Sequence, residues 1–179
     1  APLADPDGLT DAGSVVIVSG FNGEVIKRID GLAAGDKFGM AVSRWEEGGM
    51  FLAGAPGRNV FGNSDEGSVY LYAPDGSLVR SFDGMVHREA LGTAIVEMPD
   101  ADSDGHSDFL ASAPGVDPQT FQGTVRLFSS NGEVLREFVS DMGGDGFGLA
   151  LSAAGDVDGD GAPDLLIGAP LADPGGLTD

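Results

Sequence analysis

A fixed internal period constrains this chain more than any other feature. Ala-Pro stands at Ala1-Pro2, Ala55-Pro56, Ala113-Pro114 and Ala169-Pro170, at steps of 54, 58 and 56 residues. Gly-Ser/Thr-Val recurs at Gly13-Ser14-Val15, Gly67-Ser68-Val69 and Gly123-Thr124-Val125. A turn signal recurs as Asn22-Gly23, Asp75-Gly76 and Asn131-Gly132. Phe38-Gly39 and Phe147-Gly148 match, with Leu91-Gly92 between them. Four markers keep one order through three periods, so the chain reuses one supersecondary unit.

Each period reads as four short strands. The first follows the Phe-Gly marker, in FGMAVS from Phe38 and FGLALS from Phe147. The second is the apolar run before Ala-Pro, in DFLASAP from Asp108 and DLLIGAP from Asp164. The third begins at Gly13, Gly67 and Gly123, and the fourth is EVIKRI from Glu24, SLVRSF from Ser77 and EVLREF from Glu133. Third and fourth flank Asn-Gly or Asp-Gly, a hairpin signal. The fourth alternates apolar and polar residues, as a half-exposed strand does. The first two are more continuously apolar, which predicts burial on both faces.

Four antiparallel strands per unit of about 56 residues is the grammar of a β-propeller blade. A sandwich or solenoid built from the same hairpins is the competing architecture. The chain is thus expected to be all-β, a single repeat region over residues 1–179. It divides into a half-blade at 12–30, blades at 37–83 and 90–139, and a half-blade at 146–170, about three blade equivalents. The 30 glycines and 10 prolines supply the many turns such a fold needs.

Two loops carry the chemistry. Between the first and second strands of the third unit, Asp156, Asp158, Asp160 and Asp164 occupy positions 1, 3, 5 and 9, with Gly161 at 6. The second unit repeats this with Asp100, Asp102, Asp104, Asp108 and Gly105. Calcium takes six to eight oxygens, and carboxylates at alternate positions converge when the chain wraps tightly. The carbonyls of Ala162 and His106, at position 7, are expected to add an oxygen each. Position 12, where an EF-hand has Glu, is Ile167 or Ala111, so Asp164 and Asp108 close the sites instead. Two Ca2+ sites are predicted. An Asp/Gly-rich solvated turn is the blander alternative. The first unit is shorter by five residues between its markers and lacks the loop.

The formal charge is -20, from 29 acidic and 9 basic residues. That argues against nucleic-acid partners, whose phosphates would be repelled. No apolar run approaches the ~18 residues that span a bilayer, so no membrane insertion is expected. With no Cys, thiolate metal sites and a disulfide scaffold are excluded. No nucleophile with a matching base and no phosphate-binding Gly loop is present, and no catalytic role is expected. Trp45, Phe61 and Phe121 are the candidate ligand-binding aromatics, should the chain recognise glycans. Phe61 and Phe121 fall in loops between second and third strands, where function concentrates.

Phe147-Gly148 and Gly168-Ala169-Pro170, with the acidic loop between, resemble the FG-GAP repeat, the blade of integrin α-subunit propellers and of many bacterial surface proteins. Phe38-Gly39 with Gly54-Ala55-Pro56 resembles it without the loop. Leu91-Gly92 with Ser112-Ala113-Pro114 is a looser match that keeps the loop. The resemblance implies a propeller, calcium in these loops, an extracellular or cell-surface location, and adhesion or protein or glycan binding. A lectin-like or accessory domain of a secreted hydrolase or lyase is the alternative. Two blades and two complementary half-blades leave sheet edges that invite self-association into a ring or filament. An excerpt from a longer array is the other reading.

Overall fold

The computed structural model describes residues 1–45, 48–62, 64–116 and 121–173. Among them, twelve strands form four antiparallel sheets. The first sheet holds β1 (Ser14–Val18) and β2 (Val25–Asp30). The second runs β3 (Val42–Arg44), β4 (Phe51–Ala55), β5 (Ser68–Tyr72) and β6 (Leu78–Asp83), each strand beside the next in sequence. The third repeats that order with β7 (Ile95–Met98), β8 (Asp108–Ala113), β9 (Gln122–Phe128) and β10 (Val134–Gly143). The fourth holds β11 (Ala150–Gly155) and β12 (Asp164–Gly168). The only helix among the described residues is a 3-10 turn at Pro6–Gly8.

The hairpin signals act as expected. In each turn the Asn or Asp carboxyl or amide oxygen accepts the N–H two residues on: Glu24 to Asn22 at 3.1 Å, Ser77 to Asp75 at 2.8 Å, Glu133 to Asn131 at 2.8 Å. The glycine that follows takes a positive φ in all three, and the register slips by a bulge nearby. Side-chain turns of this kind hold the chain reversal locally.

The core is layered between sheets. Side chains alternate across each strand, so the two inner sheets contribute to two clusters each. Val15 and Ile29 of the first sheet pack with Ala53, Ala55, Tyr70 and Tyr72 of the second. Leu52, Val69, Leu71 and Phe82 of the second pack with Phe109, Ala111 and Phe128 of the third. Leu110, Val125 and Leu127 of the third pack with Leu151, Leu165 and Ile167 of the fourth. Each consecutive pair of sheets thus shares one apolar cluster.

The markers are where the sheets touch. The backbone N–H of Gly39 donates to Gly54 O at 2.9 Å, Gly92 to Ser112 O at 3.0 Å, and Gly148 to Gly168 O at 2.9 Å. The Phe-Gly and Gly-Ala-Pro markers are therefore the two ends of one hydrogen-bonded strand pair. The third-strand glycines meet the next unit's marker. A Cβ on Gly13 would lie 2.2 Å from Phe38 O, on Gly67 2.3 Å from Leu91 O, and on Gly123 2.4 Å from Phe147 O. Only a residue without Cβ permits that approach.

One expectation needs correcting. Of the first strands, only the third sheet's is buried on both faces, with Ile95 and Met98 of β7 in the clusters on either side; Val42 of β3 is 59% exposed, and β11 has no fully buried residue. The buried strands are the second and third, with β8 buried throughout and β5 nearly so. The exposed first strands are those without a four-stranded sheet on both sides, since β3 faces the two-stranded first sheet and β11 belongs to the two-stranded fourth.

Candidate metal centre

The loops Asp100–Asp108 and Asp156–Asp164 connect the first two strands of the third and fourth sheets. In each, three carboxylates converge. One oxygen apiece from Asp100, Asp102 and Asp108 lies within 4.8 Å of the others, and the same holds for Asp156, Asp158 and Asp164. Asp104 and Asp160, at position 5, stand outside these trios.

Backbone hydrogen bonds shape both loops alike. The position 1 carboxylate accepts from N–H groups ahead: Ser103 at 2.6 Å, Asp104 at 3.2 Å and Gly105 at 2.9 Å for Asp100, Gly159 at 2.7 Å and Gly161 at 3.0 Å for Asp156. Position 3 accepts the N–H of position 5, at 3.0 Å for Asp102 and 3.1 Å for Asp158. Position 5 accepts the N–H of position 7, at 2.8 Å in both. Position 9 reaches back to position 2, from Asp108 to Ala101 at 2.7 Å and from Asp164 to Val157 at 2.6 Å. The same local bonds thereby bring the carboxylates of positions 1, 3 and 9 together in both loops.

The electrostatics differ within the cage. The Gly105 N–H, with those of Ser103 and Asp104, holds the Asp100 carboxyl below its usual range. Burial pushes Asp108 up, and the neighbouring Asp102 and Asp104 charges add to that shift against the Ala101 N–H. Converging carboxylates repel one another, and a hard cation relieves that repulsion. All-oxygen donors suit calcium or magnesium rather than zinc or copper.

A residue outside the sequence motif completes the second-unit loop. Ser130, in the turn between β9 and β10, donates its N–H to Asp108 Oδ1 at 3.3 Å and its hydroxyl to Asp104 Oδ2 at 2.9 Å. Nothing local to the loop announces it, because it is 22 and 26 residues away. Asp108 is fully buried behind this turn, whereas Asp164 is only half-buried.

The aromatic candidates separate. Trp45 is 5% exposed and sits in the cluster between the second and third sheets, edge-on to Phe109 at 5.8 Å. It is a packing residue, not an exposed ligand platform, because its ring lies in the cluster with Leu52 and Phe109. Its N–H donates to Met50 O at 2.9 Å, tightening the short first-unit turn; Glu46 and Glu47 of that turn lie outside the described residues. Phe61 is 69% exposed, and Phe121 is half-buried against Gly115.

A recurring acid also escaped the motif reading. Asp36, Glu89 and Asp145 each stand two residues before the Phe38, Leu91 and Phe147 markers, and all three are buried. Burial raises the Asp36 carboxyl, with Arg58, 3.6 Å away, acting against it. Glu89 pairs with Arg126 at 2.8 Å. Asp145 accepts from Phe147 N–H at 2.9 Å and from the Ser140 hydroxyl. The signal was there, since the acid recurs at a fixed offset from the marker.

Residues 147–179 match the family model described as FG-GAP repeat. Integrin alpha-PS2 of Drosophila melanogaster is 30% identical over 184 residues, covering 88% of this chain and 13% of the relative. The chain belongs to the FG-GAP repeat family. Integrin alpha-5 of Xenopus laevis is 30% identical over 186 residues, 92% of this FG-GAP chain and 18% of the relative. Human integrin alpha-IIb is 37% identical over 84 residues, 44% and 8%. The FG-GAP chain spans less than a fifth of the length of these relatives. No helix among its described residues is long and apolar enough to cross a membrane.

Proposed function

We propose that this chain is a calcium-stabilised, non-catalytic binding module of an adhesive extracellular or cell-surface protein, with its sheets arranged as β-propeller blades. The observation that carries the reading is the pair of acidic loops with matching spacing and hydrogen bonds, each with three carboxylates within ligand reach of one ion. Asp100, Asp102 and Asp108 would hold one calcium, and Asp156, Asp158 and Asp164 the other. Asp104, Asp160 and the carbonyls of His106 and Ala162 stand ready to add oxygens. Calcium there neutralises the crowded carboxylates and ties the first strand of a sheet to the second. Weak sites of this kind, with Kd of ~10⁻⁴–10⁻³ M, fill outside cells. The integrin α relatives and the single cluster between consecutive sheets support the propeller reading.

Isothermal titration tests it. Two calcium ions per chain are expected, and one after either Asp102→Ala or Asp158→Ala. At calcium ~100-fold above Kd, each site adds about 2.7 kcal/mol. Roughly 2–4 °C of Tm per kcal/mol is expected at this size, so chelator should lower the parent's melting clearly. A parent that binds no calcium, or melts identically in calcium and chelator, refutes the reading.

A further inference from the structure

Two grooves flank the stack, one at each end. The first, about 670 Å³, runs beside β1 and β3 and is lined by Val15, Val16, Val42, Met50 and Phe51. It lies where the first sheet has no first or second strand among the described residues. The second, about 1010 Å³, is lined by Leu127, Leu135, Phe138, Leu165 and Ile167 with Asp158 at its rim. It lies where the fourth sheet has no third or fourth strand. Each half-sheet therefore has the strands that the other lacks. Their outward residues are bare: Val16 is 40% exposed, Val18 51% and Leu166 60%.

We propose that a second copy of this chain fills both grooves at once, with β12 of one copy pairing antiparallel with β1 of the other. The first and fourth sheets then merge into one sheet of four strands. The complete sheets fix the register. Leu52 pairs with Leu71, and Leu110 with Leu127, which places Leu166 opposite the partner's Ile17. Ala53 pairs with Tyr70, and Ala111 with Arg126, which places Ile167 opposite the partner's Val16. In this register the partner's Val16 and Val18 enter the groove over Leu127 and Phe138. Leu166 enters the partner's groove beside Val42 and Phe51. The faces match because side chains alternate, and a slip of one residue would turn every one outward.

The ends of the same edges argue for a copy of this chain. Ala1 already lies against Ser14, bonded in both directions at 2.9 Å. That is the place Ala169 takes in the merged sheet, since Ala55 pairs with Ser68 and Ala113 with Thr124. Residues 1–11 and 169–179 differ only at Asp7 and Gly175. The exchange thus replaces a segment with its near duplicate, as in domain swapping. The partner's Ser19–Gly23 turn then stands beside the Asp156–Asp164 loop, as Ser130 stands beside Asp104 and Asp108.

The chain has no cysteine, so an engineered pair reports cleanly. The double variant Ile17→Cys/Leu166→Cys is expected to form intermolecular disulfides on oxidation, giving one band at twice the single-chain mass on a non-reducing gel. Ile17→Cys/Leu165→Cys, with one thiol on the opposite face, is expected not to. Light scattering of the parent should give twice the single-chain mass, and a larger mass would mean that the two grooves are filled by different copies, against the proposal. Leu166→Asp, at an exposed position, should return it to one chain with an unchanged circular dichroism spectrum. The measurements are repeated in chelator, so a failure of calcium binding is separable from a failure of pairing. A parent of single-chain mass in both conditions overturns the proposal and leaves the β12 edge to another occupant. An intramolecular disulfide overturns it too, and equal linking by both cysteine pairs overturns the register.

Discussion

Gly67→Ala is expected to cost the chain more than about 4 kcal/mol of stability, seen as a sharply lowered urea midpoint. Gly67 has φ +78°, and a Cβ there would sit 2.3 Å from Leu91 O and 2.5 Å from Leu91 N. Both atoms are backbone, so no rotamer change relieves the clash. The bridge from Gly67 to Leu91 joins the second sheet to the third, and Leu91 is fully buried in the cluster they share. Separating the two backbones opens that cluster. A left-handed residue with a side chain costs about 1–2 kcal/mol on its own. The steric term puts the total beyond about 4 kcal/mol, the range of exceptional substitutions, against net stabilities of about 5–15 kcal/mol. Gly62 is the control, with φ +79° and open space around it; Gly62→Ala should cost only the same left-handed term of about 1–2 kcal/mol. Trp45 is the chain's single tryptophan and lies in the same cluster, so its fluorescence reports urea unfolding directly. Equal midpoints for the two variants would show that the Gly67–Leu91 approach is not needed.

The marker glycines show why much of this architecture was legible. A close backbone approach admits one residue type, so it leaves the same letter at the same place in each unit. The acidic loops were legible for a related reason: their geometry is made by bonds within nine residues, and the spacing encodes them. What could not be read depends on neighbours distant in sequence. Val42 and Ile95 stand at matching positions, yet Val42 is exposed and Ile95 buried, because only the latter has a full sheet against it. Trp45 reads as a loop residue and is core, since burial is decided by the sheet that the loop folds onto. Ser130 belongs to the second-unit site only through a hairpin that returns across the sheet.

Arg126 carries the second large effect. It is 4% exposed on the face of β9 that looks toward the second sheet. Its Nη2 donates to Glu89 Oε2 at 2.8 Å and its Nε to Glu137 Oε2 at 2.7 Å. Glu89 Oε1 in turn accepts the N–H groups of Met85 and Val86. The pair thus pins the turn before the Leu91 marker onto the sheet that marker begins. Arg126→Ala strands the Glu89 carboxylate in a buried place, and removing one partner of such a pair costs about 3–5 kcal/mol. Arg126→Met/Glu89→Gln removes both charges while keeping an acceptor for the two backbone groups. It is expected to regain at least half of the loss, because a buried ion pair replaced whole is often near neutral. The third sheet's solution is not copied by the second, where Tyr70 stands at the corresponding position and Arg58 serves Asp36 instead. A repeated position with different partners in each unit, Arg58, Arg126 and the Ser140 hydroxyl, means that the junction requires a buried acid and leaves its side-chain partner open. If the double variant is as unstable as Arg126→Ala, the loss comes from the guanidinium's hydrogen bonds to Glu89 and Glu137 rather than from a stranded charge.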